Sequence, residues 1–187
     1  SLSFLSNTLL ILATFSWVQR RNRFAFALTL LFAYLSFLTR PDNVFYVGLY
    51  PLLLIWAQSD ENWVNQAKLF IAGLVTIILV DSLIKLYIFG SPLPLSFYAK
   101  SSGYYEAYVG ADKWNPYKFM FYILSSCAPF IIVSVAFVRK KSAKLFMAFA
   151  IPSLITFLYY FDVVQIMGFD GRFYFPSVPF VMVSAFL

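Results

Sequence analysis

A chain of 187 residues that is 61% hydrophobic, 21% aromatic and only 12% charged, with a mean hydropathy of +0.78, has too little polar surface for a soluble domain of its size. Lys and Arg outnumber Asp and Glu by 14 to 8, and histidine is absent, so the chain cannot itself build an HExxH zinc site or a His-based triad. The expected class is all-α: a polytopic transmembrane helical bundle.

Seven hydrophobic segments follow in order, Leu2–Val18, Phe24–Thr39, Val44–Ala57, Leu69–Phe89, Tyr117–Val138, Leu145–Phe161 and Pro176–Leu187. Spanning a bilayer takes about 20 apolar residues, with about 17 as a lower limit. The second and third segments fall short of that and are separated by Arg40-Pro41-Asp42-Asn43, which reads as a tilted hairpin that just crosses. The chain starts at Ser1 without a signal-peptide pattern and stops inside an apolar run. It reads as an excerpt of a longer membrane domain. Cys127 lies in an apolar run and is expected to pack rather than react.

Charge predicts the sidedness. The clusters Arg20-Arg21-Asn22-Arg23 and Arg139-Lys140-Lys141-Ser142-Ala143-Lys144 should both face the cytoplasm, and the four segments between them return the chain to the same side. Ser59–Lys68 then falls inside. The Arg40 turn and the loops 90–116 and 162–175 fall outside. The inner side holds eight cations against Asp60 and Glu61, which accounts for the whole net charge of +6. Trp17, Trp56, Trp63 and Trp114 all stand near segment boundaries, as interfacial aromatics do. Anionic headgroups suffice to explain the basic inner face, and no nucleic-acid partner is implied.

Three segments on the expected outer side pair a proline break with charge: Arg40-Pro41-Asp42, Ser91-Pro92-Leu93-Pro94-Leu95-Ser96-Phe97-Tyr98-Ala99-Lys100, and the run from Gly168 to Pro176. Prolines forbid a continuing helix, and irregular backbone beside a bilayer must meet water or pack inside protein. A lipid-linked phosphate at that surface would need cations, with Arg supplying a bidentate fork and Lys a point charge. Arg40, Lys100 and Arg172 are the candidates to hold it. The plainer readings are that Arg40 and Asp42 cap and neutralise a helix turn, and that Lys100 and Arg172 are snorkelling anchors. Phe97, Tyr98, Tyr104, Glu106 and Tyr174 could cover a polyprenyl chain or stack on a sugar. Asp81 and Lys85 are four apart on one helical face, and either neutralise each other or line a polar cavity.

Arg40-Pro41-Asp42, Pro92-Leu93-Pro94-Leu95-Ser96-Phe97-Tyr98-Ala99-Lys100 and Asp170-Gly171-Arg172-Phe173 with Pro176 and Pro179 together resemble one group of GT-C membrane glycosyltransferases. The likeness is greatest to the branch with the terminal arabinofuranosyltransferases of actinobacterial cell walls. Leu95-Ser96 stands where that family has Asn-Thr, and a compressed Asp-Gly-Arg replaces a longer Gly-Gly-Asp spacing. The resemblance implies an inverting hexosyl or pentosyl transfer from a polyprenyl-phosphate sugar to a glycan or glycolipid acceptor of the cell envelope. The site would be on the extracytoplasmic face of a bacterial plasma membrane. It also implies an acidic base upstream of Ser1, with Asp42 and Asp170 as weak candidates inside the chain. No motif calls for a cofactor, and a divalent metal is compatible with this chemistry. The rival reading is a transporter or channel with Asp81 and Lys85 lining its pathway; a structural assembly subunit is a third.

Overall fold

A computed structural model describes residues 2–40, 43–58, 62–92, 143–162 and 175–184, together with Phe121, Ser125, Ala128, Pro129 and Ile132. Among the described residues the chain is helical throughout and has no strand. Helix α1 is Leu2–Arg20, α2 is Arg23–Thr39, α3 is Val44–Gln58 and α4 is Trp63–Phe89. Helix α5 is Ala143–Asp162, and a 3-10 turn, Phe175–Ser177, leads into the short helix α6, Val178–Ser184.

Local chemistry sets the helix ends. Arg21 closes α1 in the left-handed region (φ 51), its N–H reaching the Trp17 carbonyl at 2.7 Å. A side chain there is uncommon outside glycine. Asn22 then caps α2, its Oδ1 accepting the Ala25 N–H at 2.7 Å, a contribution of about 1 kcal/mol. Pro41 stops α2, because the residue before a proline is pushed out of the helical region; Arg40 sits at φ −155, ψ 114. Helix α4 ends on Gly90 at φ 70, whose N–H returns to the Leu86 carbonyl at 2.9 Å, with Pro92 just beyond.

The fourth segment differs from its expected bounds. Helix α4 begins at Trp63 rather than Leu69, so Lys68 stands on a helix and not in an inner loop. Hydropathy marks where an apolar run starts, whereas Trp63-Val64-Asn65-Gln66-Ala67-Lys68 contains no breaker that would delay the helix. The last segment likewise opens as a 3-10 turn around Pro176 before α6 forms.

Side chains of α1, α3, α5 and α6 make most of the core, with Ala25 and Ala33 of α2 and Phe70 of α4 joining it. Tyr46 stacks on Phe180 with centroids 4.4 Å apart, and Tyr50 meets Phe149 at 5.0 Å and Phe180 at 5.1 Å. All four rings are fully buried. Truncating such an aromatic costs about 3–5 kcal/mol. Pro51 in α3 and Pro152 in α5 are also buried, and each removes one helical donor.

Contacts along the helices fix their directions. Helices α1 and α2 form an antiparallel hairpin. Helices α3 and α5 are antiparallel too, with Phe45 against Tyr159 at one end and Lys144 over the Trp56 ring (5.5 Å) at the other. Helix α4 runs parallel to α2: Gly73 packs on Leu30 and Phe26, and eight residues on Asp81 meets Tyr34. A Cβ at Gly73 would lie 2.7 Å from Leu30 Cδ1, so glycine permits this close approach. Phe70 lies beside Trp17, 6.2 Å between centroids. One end of the bundle therefore carries exposed Arg20, Arg21, Arg23, Lys68 and Lys144. Arg40 and the 3-10 turn occupy the opposite end.

Helices α1 and α4 are long and apolar enough to cross a membrane; Arg23–Thr39, Val44–Gln58 and Ala143–Tyr159 are shorter apolar helices. At 1.5 Å per residue, the 27 residues of α4 reach about 40 Å. Only 6% of the apolar window of α4 is buried, and Leu69, Ile71, Val75, Leu79, Leu83 and Phe89 are among its exposed side chains.

Candidate functional site

The Arg40 end of the bundle holds a chain of buried hydrogen bonds. It starts from Asn43, 1% exposed, which follows the Pro41-Asp42 pair. Its backbone N–H closes the turn onto the Arg40 carbonyl at 2.9 Å. Its side-chain Nδ2 lies within donor reach of the Ser36 carbonyl (3.0 Å), Ser36 Oγ (3.1 Å) and Ser3 Oγ (2.9 Å). Ser36 Oγ in turn donates to Asn7 Oδ1 at 2.5 Å, and Asn7 Nδ2 donates to the Pro176 carbonyl at 3.0 Å. The run Asn43, Ser36, Asn7, Pro176 thus joins the starts of α1 and α3, the end of α2 and the 3-10 turn. Each amide orientation follows from its partners, since a carbonyl can only accept and Ser36 has one proton to give.

Arg40 caps α2 within this network. Its N–H reaches the Ser36 carbonyl at 3.2 Å, and the same carbonyl accepts from Thr39 Oγ1 at 2.8 Å. Thr39 Oγ1 lies 3.5 Å from Ser6 Oγ. Three donors thus meet on one carbonyl of the last turn, where helical partners run out. The Arg40 side chain is half-buried.

Beside it, Tyr46 brings a fully buried hydroxyl toward Thr156, Ser177 and Ser153. No hydrogen bond of ordinary geometry reaches Tyr46 Oη, the one such orphaned buried side-chain atom among the described residues. Two of the facing hydroxyls spend their proton locally, Ser153 on the Phe149 carbonyl (3.2 Å) and Thr156 on the Pro152 carbonyl (2.8 Å). They offer lone pairs only.

A second polar cluster lies between α2 and α4. Asp81 pairs with Lys85 at 2.5 Å and accepts the Tyr34 hydroxyl at 2.7 Å. The Lys85 and Asp81 side chains are 18% and 14% exposed. The mutual neutralisation expected from the spacing forms, with Tyr34 as an added interhelical donor.

Of the residues singled out from sequence, Arg40 is described, and it stands one hydrogen-bond chain away from Pro176 of the third proline segment. Asp42, Phe97, Tyr98, Lys100, Tyr104, Glu106, Asp170, Arg172 and Tyr174 lie outside the described residues. Sequence reasoning missed Asn7, Ser36, Asn43 and Tyr46. Asn7 carried a signal, since an amide inside the apolar run Leu2–Val18 demands a buried partner. The other three carried none that local spacing could expose. Among the described residues, no three His, Cys, Asp or Glu side chains assemble to hold a metal ion. The arrangement fixes the backbone of one cation, Arg40, at the end of the bundle above a neutral network whose donors are spent on its own acceptors. No protein-family model, curated protein or solved structure matches the chain.

Proposed function

We propose that this chain is part of an integral membrane glycosyltransferase of GT-C type. It moves a sugar from a polyprenyl-phosphate donor to an extracytoplasmic cell-envelope acceptor. The seven apolar segments are its spans, and the membrane is the bacterial plasma membrane. The exposed apolar surface of α4 supports residence in lipid, because a face of that kind would aggregate in water. The separation of Arg20, Arg21, Arg23, Lys68 and Lys144 at one end from Arg40 at the other supports the sidedness, with Arg40 outside.

The observation that carries the reading is the junction through Asn7. Two of the three proline segments that resemble the family motifs, the Arg40 turn and the segment ending at Pro176, meet in one buried network at one end of the bundle. In the proposed reaction the acceptor hydroxyl oxygen attacks the anomeric carbon from the face opposite the phosphate. The bond from that carbon to the phosphate oxygen breaks, its electron pair leaves with polyprenyl phosphate, and the hydroxyl proton passes to a carboxylate base. Arg40, Lys100 and Arg172 stabilise the charge that grows on the leaving phosphate. The transporter reading loses ground on Asp81 and Lys85, whose charges satisfy each other and Tyr34.

Binding of polyprenyl phosphate to the full-length protein in nanodiscs tests this. Arg40→Gln should weaken it by about tenfold, the scale of one charge-assisted hydrogen bond, and should leave binding of a neutral polyprenol unchanged. Equal affinity of wild type for the phosphate and the alcohol would overturn the proposal.

A further inference from the structure

We infer that Asn43 is a positioning residue for Arg40, acting through Ser36; this rests on the assignment of Arg40 to the donor phosphate. A residue before a proline is confined to extended backbone, and the last carbonyls of a helix need partners from outside the helix. Arg40 is held on both sides. Its N–H is taken by the Ser36 carbonyl (3.2 Å), and its carbonyl takes the Asn43 N–H (2.9 Å). The Asn43 side chain then reaches back across the turn to the same Ser36 carbonyl, to Ser36 Oγ and to Ser3 Oγ.

The hydrogen bonds run in one direction. Asn43 Nδ2 donates to Ser36 Oγ, and Ser36 Oγ donates to Asn7 Oδ1. Chains of this kind polarise one another, and a missing member weakens the others. Asn7, fully buried, passes the constraint on to the Pro176 carbonyl (3.0 Å). Asn43 also forms the step from the turn into α3, three residues before the buried Tyr46. Asn43 and Ser36 together join the turn, the end of α2 and the start of α1. Its amide sets where the Arg40 backbone sits, and through it where the guanidinium can be presented.

A purely structural role would make Asn43 matter in the same way whether or not Arg40 is present. A positioning role makes the two changes redundant for phosphate binding. The test is a double-mutant cycle in the full-length protein in nanodiscs, titrated with polyprenyl phosphate and melted in parallel. Arg40→Gln and Asn43→Ala should each weaken binding by about tenfold, and the double variant should bind within about twofold of Arg40→Gln alone. Melting should drop with Asn43→Ala in both backgrounds and stay near wild type for Arg40→Gln. Ser36→Ala, which removes one hydroxyl, replaces Asn43→Ala in the cycle should the latter not fold, with the same redundancy expected. If Arg40→Gln binds like wild type, the phosphate reading fails and the inference with it. If Arg40→Gln weakens binding but Asn43→Ala alone binds like wild type, or if the double variant shows the product of the two single losses, the positioning role alone is overturned.

Discussion

Replacing Asp81 by Asn in the full-length protein removes the negative charge that Lys85 and Tyr34 share. The Lys85 and Asp81 side chains in α4 are 18% and 14% exposed, so the change strands a largely covered cation. Breaking a fully buried pair costs about 3–5 kcal/mol. Lys85 lies one turn from the end of α4 at Phe89, and a long side chain there can lift its ammonium toward water. The expected cost is therefore lower, about 2 kcal/mol. Removing Lys85 as well, in Asp81→Asn with Lys85→Met, takes away the stranded charge and should recover about half of that loss. Tyr34→Phe leaves the ion pair intact and deletes one hydrogen bond to a charged group, a loss of about 1.5 kcal/mol. Unfolding by SDS titration in mixed micelles reads all three. Additive losses for Asp81 and Lys85, or an Asp81→Asn variant within about 0.5 kcal/mol of wild type, would refute the coupling.

Topology can be read by labelling in a Cys127→Ser background: cysteines placed at Ser102 and Gly171 should react with an impermeant thiol reagent applied from outside intact cells, and one at Ser142 should not. Reaction at Ser142 would overturn the sidedness. At the α2–α4 contact, the Cβ of Gly73→Ala meets the methyl ends of Leu30, with the Phe26 ring edge at 3.4 Å, and should cost under about 1 kcal/mol, whereas Gly73→Ile should cost about 1–3 kcal/mol by overpacking. Equal melting of the two variants would show that α4 does not lean on α2 there.

The helices were legible because apolar runs and their punctuation are local. Asn22, Pro41 and Gly90 end or start elements by chemistry that acts within four residues, so most boundaries could be read from neighbours alone. The start of α4 could not, since a helix continues past the edge of its apolar run when no residue breaks it. Arg40 stood out because a cation before a proline is conspicuous. Its supports did not. Asn7 finds Ser36 across 29 residues and Pro176 across 169, and small polar residues in apolar runs look alike until the fold supplies a partner. The same holds between α2 and α4: the Asp81–Lys85 spacing was visible within one helix, but Tyr34 is 47 residues away.

Transfer itself is the most direct measurement of the central claim. With the full-length protein and a labelled polyprenyl-phosphate sugar, Lys100→Ala and Arg172→Ala should each lower transfer by at least about tenfold, the worth of a charge-assisted contact to phosphate, while expression stays at the wild-type level. Arg172→Lys should restore only part of the rate, because the bidentate fork is lost. Lys113→Ala, on the same face but outside the motif-like segments, should have far less effect. Wild-type transfer by both Lys100→Ala and Arg172→Ala would contradict the assignment of these cations to the donor phosphate.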